Sequence, residues 1–300
     1  MTGKEKAFIA IKQRKKSAEE QYRRLLETLC ENEKIDALFR IENSLKWDYV
    51  KARTEAEKNR IEEEIEENKK NLLSAIREIG YTENALKVPY SCKYCNDTGM
   101  SNGKECACVE NARIEIALQE NPILRPYPFG LEEINFSYYG ENRKEKEILA
   151  ESIKKAYDSD KKIFLFAGKA GTGKTYFAAT FLKDILQTGK DVLALNSVML
   201  NKLFLDYHCA PMQDKNRLWK TFEDADAILI DDLGTEQVLN NVTIPYLLEL
   251  LTERTDKVTI ITTNLSALDL EQRYGQRIVS RLLDKKLSYP LIFKGNDLRF

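Results

Sequence analysis

Proline is absent from the first 88 residues, and glycine occurs there only at Gly3 and Gly80. Nothing in that stretch forces a break, so long helices are open to it. Histidine is nearly absent: His208 stands alone, far in sequence from the cysteines, and a metal site need not use it. A surplus of either charge is also missing, since 47 Lys and Arg meet 48 Asp and Glu. That balance excludes a global field drawing the chain to nucleic acid or a membrane, so any such contact must come from a local patch. No secretory apolar stretch opens the chain, and no run of eighteen apolar residues occurs anywhere. A membrane partner is therefore not expected, and the expected location is cytoplasmic. In that reducing compartment the six cysteines read as thiols or metal ligands rather than disulfides. A length of 300 residues suggests about two domains.

What is present centres on KKIFLFAGKAGTGKTYFAAT, Lys161 to Thr180. An apolar run, Ile163 to Ala167, ends at Gly168, and Lys169, Ala170, Gly171 and Thr172 precede Gly173, Lys174 and Thr175. A helical pattern follows. The spacing Gly, four residues, Gly, Lys, Ser/Thr is that of a phosphate loop. Glycines let successive N–H groups curl around phosphate oxygens, and the helix behind adds its positive end. Lys174 would reach the β and γ phosphates of ATP, and the Thr175 hydroxyl would ligate Mg²⁺.

From Glu145 onward strand and helix patterns alternate, with strands expected at 163–167, 191–195, 226–231, 258–263 and 290–294. This predicts an α/β fold, a parallel sheet covered by helices. The third strand ends AILIDDLG: Asp231 would hold Mg²⁺ through water, and Asp232 would polarise the attacking water. The fourth ends ITTNL, placing Asn264 where a polar side chain can orient that water. QRYGQRIVSRLLDKK then offers Arg273, Arg277 and Arg281, the last two sharing a helix face. An arginine entering a neighbouring subunit's phosphate site stabilises transition-state charge. Arg281 is the first candidate for that role and Arg277 the second; a surface ion-pair role competes for both.

Ahead of this domain, Phe8, Ile11, Lys15, Ala18, Tyr22, Leu25 and Leu29 stripe a first helix, and a second is expected over Lys34 to Ile79, closed by Gly80. The result is a helical hairpin over 1–88, either a spacer or an arm that docks another protein. Trp47 and Tyr49 favour docking. Over 89–110, SCKYCNDTGMSNGKECACVE carries Cys92 and Cys95 as CxxC and Cys106 and Cys108 as CxC. Four thiolates in so short a span suit a closed, structural Zn²⁺ knuckle; a redox dithiol and unligated thiols are the alternatives. A proline-broken linker covers 111–140, in which Phe129 and Phe136 could pack beside a base, though a core or linker role suits them as well.

The motif order resembles the AAA+ ATPases, and within them the DnaC/DnaI type of bacterial replicative helicase loader. The matching residues are GKAGTGKT (168–175), LIDDLGTE (229–236), TTNL (262–265), RIVSRL (277–282) and the terminal FKGNDLRF. The resemblance covers about residues 126–300 and is looser over the first 110. It implies an AAA+ ATPase domain over 141–300. Its implied partners are a hexameric replicative helicase gripped through residues 1–110, single-stranded DNA, and further copies of the chain in the ATP state. Two departures stand out. Many AAA+ proteins carry Glu at the position of Asp232, so slow hydrolysis is expected. Only nineteen residues follow Arg281, too few for a helical lid, and Arg299 is the candidate for the lid arginine's phosphate contact. The stretch 197–222 corresponds to the inserted helix of loaders. Its Lys202, Phe204, Tyr207, Lys215, Arg217, Trp219 and Lys220 mix cations with aromatics, as single-strand binding requires, unless the aromatics are core. Loading a helicase during DNA replication is the leading function. The alternatives are an IstB-like transposition helper ATPase and a nucleotide-gated adaptor with negligible hydrolysis.

Overall fold

The computed structural model describes residues 1–295, 297 and 298. Two units divide the chain, Ala7–Ala112 and the residues flanking it. The candidate lid residue Arg299 lies outside the described residues.

The first unit is built on three helices. Helix α1 (Gly3–Cys30) buries Ala7, Ile11, Ala18 and Leu29, a stripe at helical spacing. Helix α2 (Glu33–Lys51) starts at Asn32, whose side chain accepts from the Lys34 and Ile35 amides. Helix α3 (Glu55–Glu78) returns alongside α2, with Leu72, Ala75 and Ile76 packed on Leu29 and Ile35. The single helix expected over 34–79 is thus two, and the hairpin forms between its halves. The cause is local. Thr54 accepts from the Glu57 amide while the Glu57 carboxylate accepts from the Thr54 amide, a reciprocal cap that starts a new helix at Glu55. Asn68 closes the pair by donating to the Leu38 carbonyl.

Two short strands, β1 (Met100–Ser101) and β2 (Lys104–Glu105), form an antiparallel ribbon between the cysteine pairs. Asn102 (φ 52°) and Gly103 (φ 73°) form its turn. Both central residues lie in the left-handed region that a two-residue hairpin demands, which is why Asn-Gly stands there. Helix α4 (Ala107–Glu120) follows.

The second unit contains α5 (Arg143–Asp158), β3 (Ile163–Gly168), α6 (Lys174–Gln187), β4 (Val192–Asn196), α7 (Ser197–Cys209), α8 (Met212–Asp224) and β5 (Ala227–Leu233). It continues through α9 (Thr243–Glu253), β6 (Val258–Thr263), α10 (Ala267–Tyr274), α11 (Gln276–Leu282) and β7 (Ser288–Phe293). The five long strands pair in parallel in the order β4-β5-β6-β3-β7. Their expected positions hold to within two residues, because inner parallel strands covered on both faces read as largely apolar runs. Phe164 and Phe166 pack toward Ile153, Phe177 and Phe181. Ile163 and Leu165 pack toward Leu200, Phe204, Leu247 and Ile278 on the opposite face. The helices thus form a layer on each side, and every strand delivers its C-terminal end to one rim.

One irregularity interrupts this sheet. Between Ile230 and Leu233, β5 carries an extra residue against β6, and Asp232 there has φ 55°.

Removing the Thr54 hydroxyl, Thr54→Ala, is expected to lower local stability at the start of α3 by about 1 kcal/mol, seen as faster amide hydrogen exchange at residues 55–58. Unchanged exchange there would mean the cap does not set the helix start.

Candidate nucleotide-binding site

The loop after β3 curls over the start of α6. Gly173 has φ 93°, and a Cβ on it would stand 2.6 Å from the Tyr139 hydroxyl, so both backbone geometry and space require glycine. The Thr172 hydroxyl donates to the Lys169 carbonyl at 2.9 Å and closes the loop on itself.

Lys174 is buried at the head of α6. Its ammonium donates to the carbonyls of Gly168 (2.9 Å) and Lys169 (2.7 Å) and to Asn264 Oδ1 (2.7 Å). These oxygens are neutral, so the charged oxygens of a phosphate compete well for the same protons. Asn264 follows β6 directly, so the polar side chain expected at the end of ITTNL stands against the loop lysine.

Asp231 joins the ends of β5 and β6 to the start of α6. Its Oδ1 accepts from the Thr175 hydroxyl at 2.8 Å and from the Thr262 hydroxyl at 2.7 Å. Burial pushes the Asp231 carboxyl above its ordinary value; the two threonine hydroxyls pull against that, and the neighbouring Asp232 charge reinforces it. A divalent cation held by Asp231 and Thr175 would stabilise the charged form that burial disfavours. The residues present therefore fit Mg²⁺.

Consecutive strand residues ordinarily face opposite sides, yet Asp231 bonds Thr175 while Asp232 lines the adjoining cavity. The bulge in β5 makes this compatible. The Asp232 amide donates to Thr262 Oγ1 at 2.8 Å, and its carbonyl accepts from the Ser197 hydroxyl at 2.8 Å. Thr262 and Ser197 are site residues that the sequence reading missed. For Thr262 the available signal was a pair of threonines ending an otherwise apolar strand.

The cavity in front of the loop has a volume of about 540 Å³. Ala170, Gly171, Gly173, Lys174 and Thr175 line it together with Asp232, Asn264 and four tyrosines, Tyr127, Tyr138, Tyr139 and Tyr176. Phe129 and Phe136, considered as neighbours of a base, are absent from this lining. Phe136 packs edge-on to Phe177 in the core, and the Phe129 ring lies beneath the Lys183 ammonium. The aromatic side chains that line the cavity are tyrosines instead.

The arginines separate into two kinds. Arg273 is tied to Glu236, whereas Arg277 and Arg281 are exposed on α11 and do not line the cavity of their own chain. In the segment 197–222 the aromatics turn inward. Phe204 is 0% and Trp219 6% exposed, both in one core cluster, because α7 and α8 cover the sheet with these side chains. Lys202, Arg217 and Lys220 remain exposed, and Lys215 lies over the half-buried Tyr207 ring.

Among the described residues, a separate cluster unites Cys92, Cys95, Cys106 and Cys108, whose sulfurs all lie within 4.8 Å of one another. The Sγ separations of 3.7 Å (Cys92 to Cys106) and 3.4 Å (Cys95 to Cys108) are close to the edge, about 3.8 Å, of a tetrahedron of thiolates around zinc. Asp97 braces the first pair: its carboxylate accepts from the Ser91 and Cys92 amides and from Arg14 of α1.

A glycine loop with its lysine, a hydroxyl aligned on a buried aspartate, and a polar side chain just past the adjacent strand define a P-loop nucleotide-binding domain. The model of the IstB-like ATP-binding proteins matches residues 113–295, and the chain belongs to that family. It is similar to the replicative helicase loader DnaC of Escherichia coli K12, 25% identical over 128 residues, which are 42% of this chain and 52% of that protein. The DnaC loader of Buchnera aphidicola is 22% identical over 151 residues, 49% of this chain and 61% of that one. The chain thus spans about half the length of the curated relatives it matches. A crystal structure of the DnaC helicase loader aligns at TM-score 0.46 and 23% identity, over 57% of this chain and 99% of that one. No helix among the described residues is long and apolar enough to cross a membrane.

Because its pKa is raised, the Asp231 carboxyl costs the nucleotide-free protein stability as pH climbs from the ordinary carboxylate range through the raised value. Asp231→Asn is expected to remove that slope and raise the nucleotide-free Tm by about 2–4 °C, while abolishing the further stabilisation by Mg²⁺ and nucleotide together. Thermal melts with and without Mg²⁺ read both effects, and a lowered nucleotide-free Tm would contradict this account of the site.

Proposed function

We propose that the protein is an ATP-hydrolysing loader that places a hexameric replicative DNA helicase on single-stranded DNA during replication. The observation that carries this reading is the division of labour around the cavity. Among the described residues its wall offers one cation, Lys174, while the exposed arginines of α11 stand elsewhere on the chain. A site of this kind is completed by a neighbouring subunit, which makes assembly depend on the nucleotide.

Each residue takes a role in that scheme. The loop from Gly168 to Thr175 holds the phosphates, with Lys174 on the β and γ groups. Thr175 and Asp231 hold Mg²⁺, which supplies charge neutralisation on the phosphates. Asp232 polarises the attacking water, Asn264 orients it, and Arg281 of the adjoining subunit, or Arg277 behind it, meets the developing charge. Asp232 is one methylene shorter than the glutamate common at this position, which fits slow turnover.

The helical unit is the helicase-docking arm. Its hairpin end exposes Trp47 (67%) and Val50 (75%), apolar side chains that a spacer does not need. The four cysteines hold a structural zinc ion beside that arm, and the exposed cations of 197–222 supply a weak attraction for single-stranded DNA.

A second reading, a transposition helper of the IstB type, is favoured by the family match alone. The helical unit and the cysteine cluster argue against it, because such a helper needs neither. ATP-dependent coating of duplex DNA by the protein without helicase would support it.

The deciding comparison is wild type against Lys174→Ala for ATP-dependent delivery of helicase onto protein-coated single-stranded DNA. The variant is expected to lose delivery, with hydrolysis reduced at least about a hundredfold; a variant as active as wild type would defeat the proposal. Metal analysis is expected to find zinc in the purified protein and its loss in Cys92→Ser. A metal-free wild type with an intact helical unit would defeat the zinc assignment.

A further inference from the structure

Glu236 is 4% exposed, and the phosphate site described above does not use it. Its carboxylate accepts from the Gly234 amide at 3.0 Å and from the Tyr274 hydroxyl, and Arg273 Nε lies 3.8 Å away. Arg273 also donates to the Glu236 backbone carbonyl. Tyr274 is 1% exposed; burial first, and the Glu236 carboxylate next, push its phenol up, so it remains a donor.

Both ends of this contact lead somewhere. On one side, Gly234, Thr235 and Glu236 form the loop leaving β5. The Thr235 hydroxyl donates to the Asp232 carbonyl at 3.0 Å and lies 2.9 Å from Ser197 Oγ. The backbone carrying Asp232 is therefore set by this loop. On the other side, Arg273 and Tyr274 end α10, and only Gly275 (φ 87°) separates them from α11, which buries Ile278, Val279 and Leu282 and exposes Arg277 and Arg281. Helix α10 starts just after Asn264, with Ser266 as its cap. It is thus fastened to the phosphate site at both ends.

We propose that Glu236 is a positioning residue that clamps the Asp232 loop to the arginine helix, so that the acid serving one subunit's nucleotide and the arginine offered to the neighbour's move as one body. The proposal rests on the reading that Arg281 acts across a subunit boundary, and adds to it a physical link between consecutive sites in the assembly. A buried carboxylate meeting donors from two segments is a stiff joint, because releasing either segment leaves a charge without its partners. The contact shell of the nucleotide lies outside the joint, so substitution should alter turnover and spare binding.

Tyr274→Phe removes only the hydroxyl, and Glu236→Gln keeps the shape without the charge. Each is measured in the full chain, with helicase and single-stranded DNA present, alone and combined with Arg281→Ala. The expected result is a dissociation constant for a non-hydrolysable ATP analogue within about twofold of wild type, and kcat lowered about tenfold, as for loss of one hydrogen bond to a charged group. Combined with Arg281→Ala the losses should not add, because clamp and arginine belong to one pathway. Where Glu236→Gln fails to fold, Tyr274→Phe alone decides. The clamp is overturned if Tyr274→Phe turns over at the wild-type rate, or if its loss adds in full to that of Arg281→Ala. An Arg281→Ala protein as fast as wild type overturns the trans-arginine reading and the clamp with it, a pattern distinct from the first two. Wild type without hydrolysis overturns the ATPase reading itself.

Discussion

The buried carboxylate of Asp231 is the joint on which the second unit depends. It receives the hydroxyls of Thr175, at the start of the helix behind β3, and Thr262, near the end of β6. Three segments distant in sequence are thereby brought to one point at the rim of the sheet. The charge is costly to bury, and the two hydroxyls only partly offset the cost. A divalent cation would remove the imbalance, so the same feature that burdens the nucleotide-free protein would make it responsive to metal and nucleotide.

Around that joint the geometry follows from two departures from regularity. The left-handed backbone at Gly173 lets the loop reach the cavity, and the bulge at Asp232 frees a second carboxylate from strand alternation. Such departures persist where their surroundings hold them. Here the holders are Thr262, Ser197 and, through the loop leaving β5, Glu236. The site is thus a small set of irregular backbone positions braced by polar side chains, mounted on a sheet whose two faces are filled with apolar ones.

Much of this architecture was legible beforehand. Largely apolar runs located the five long strands, most directly β3 and β5, whose positions inside the sheet bury them on both faces; the edge strand β7 is only partly buried. GKAGTGKT, the paired aspartates and TTNL mark the groups that meet at the cavity, since phosphate chemistry restricts residue types at these places. The legibility ended where a local signal competed with a longer pattern. The stripe through 34–79 suggested one helix, whereas the Thr54 and Glu57 cap divided it. In 197–222 the mixture of aromatics and cations fitted a stacking surface equally well, and only packing sent Phe204 and Trp219 into the core.

By itself the sequence determined the class of nucleotide site: a P-loop and an acidic strand end leave few alternatives, because each needs particular atoms at particular spacings. The tertiary structure alone decided which polar groups meet. Asp231 with Thr262, Lys174 with Asn264, and Glu236 with Tyr274 are pairs 31, 90 and 38 residues apart. Their meeting depends on strand order and on a one-residue bulge. Neither is written in any short stretch of the chain, because both arise from how distant segments share one buried sheet.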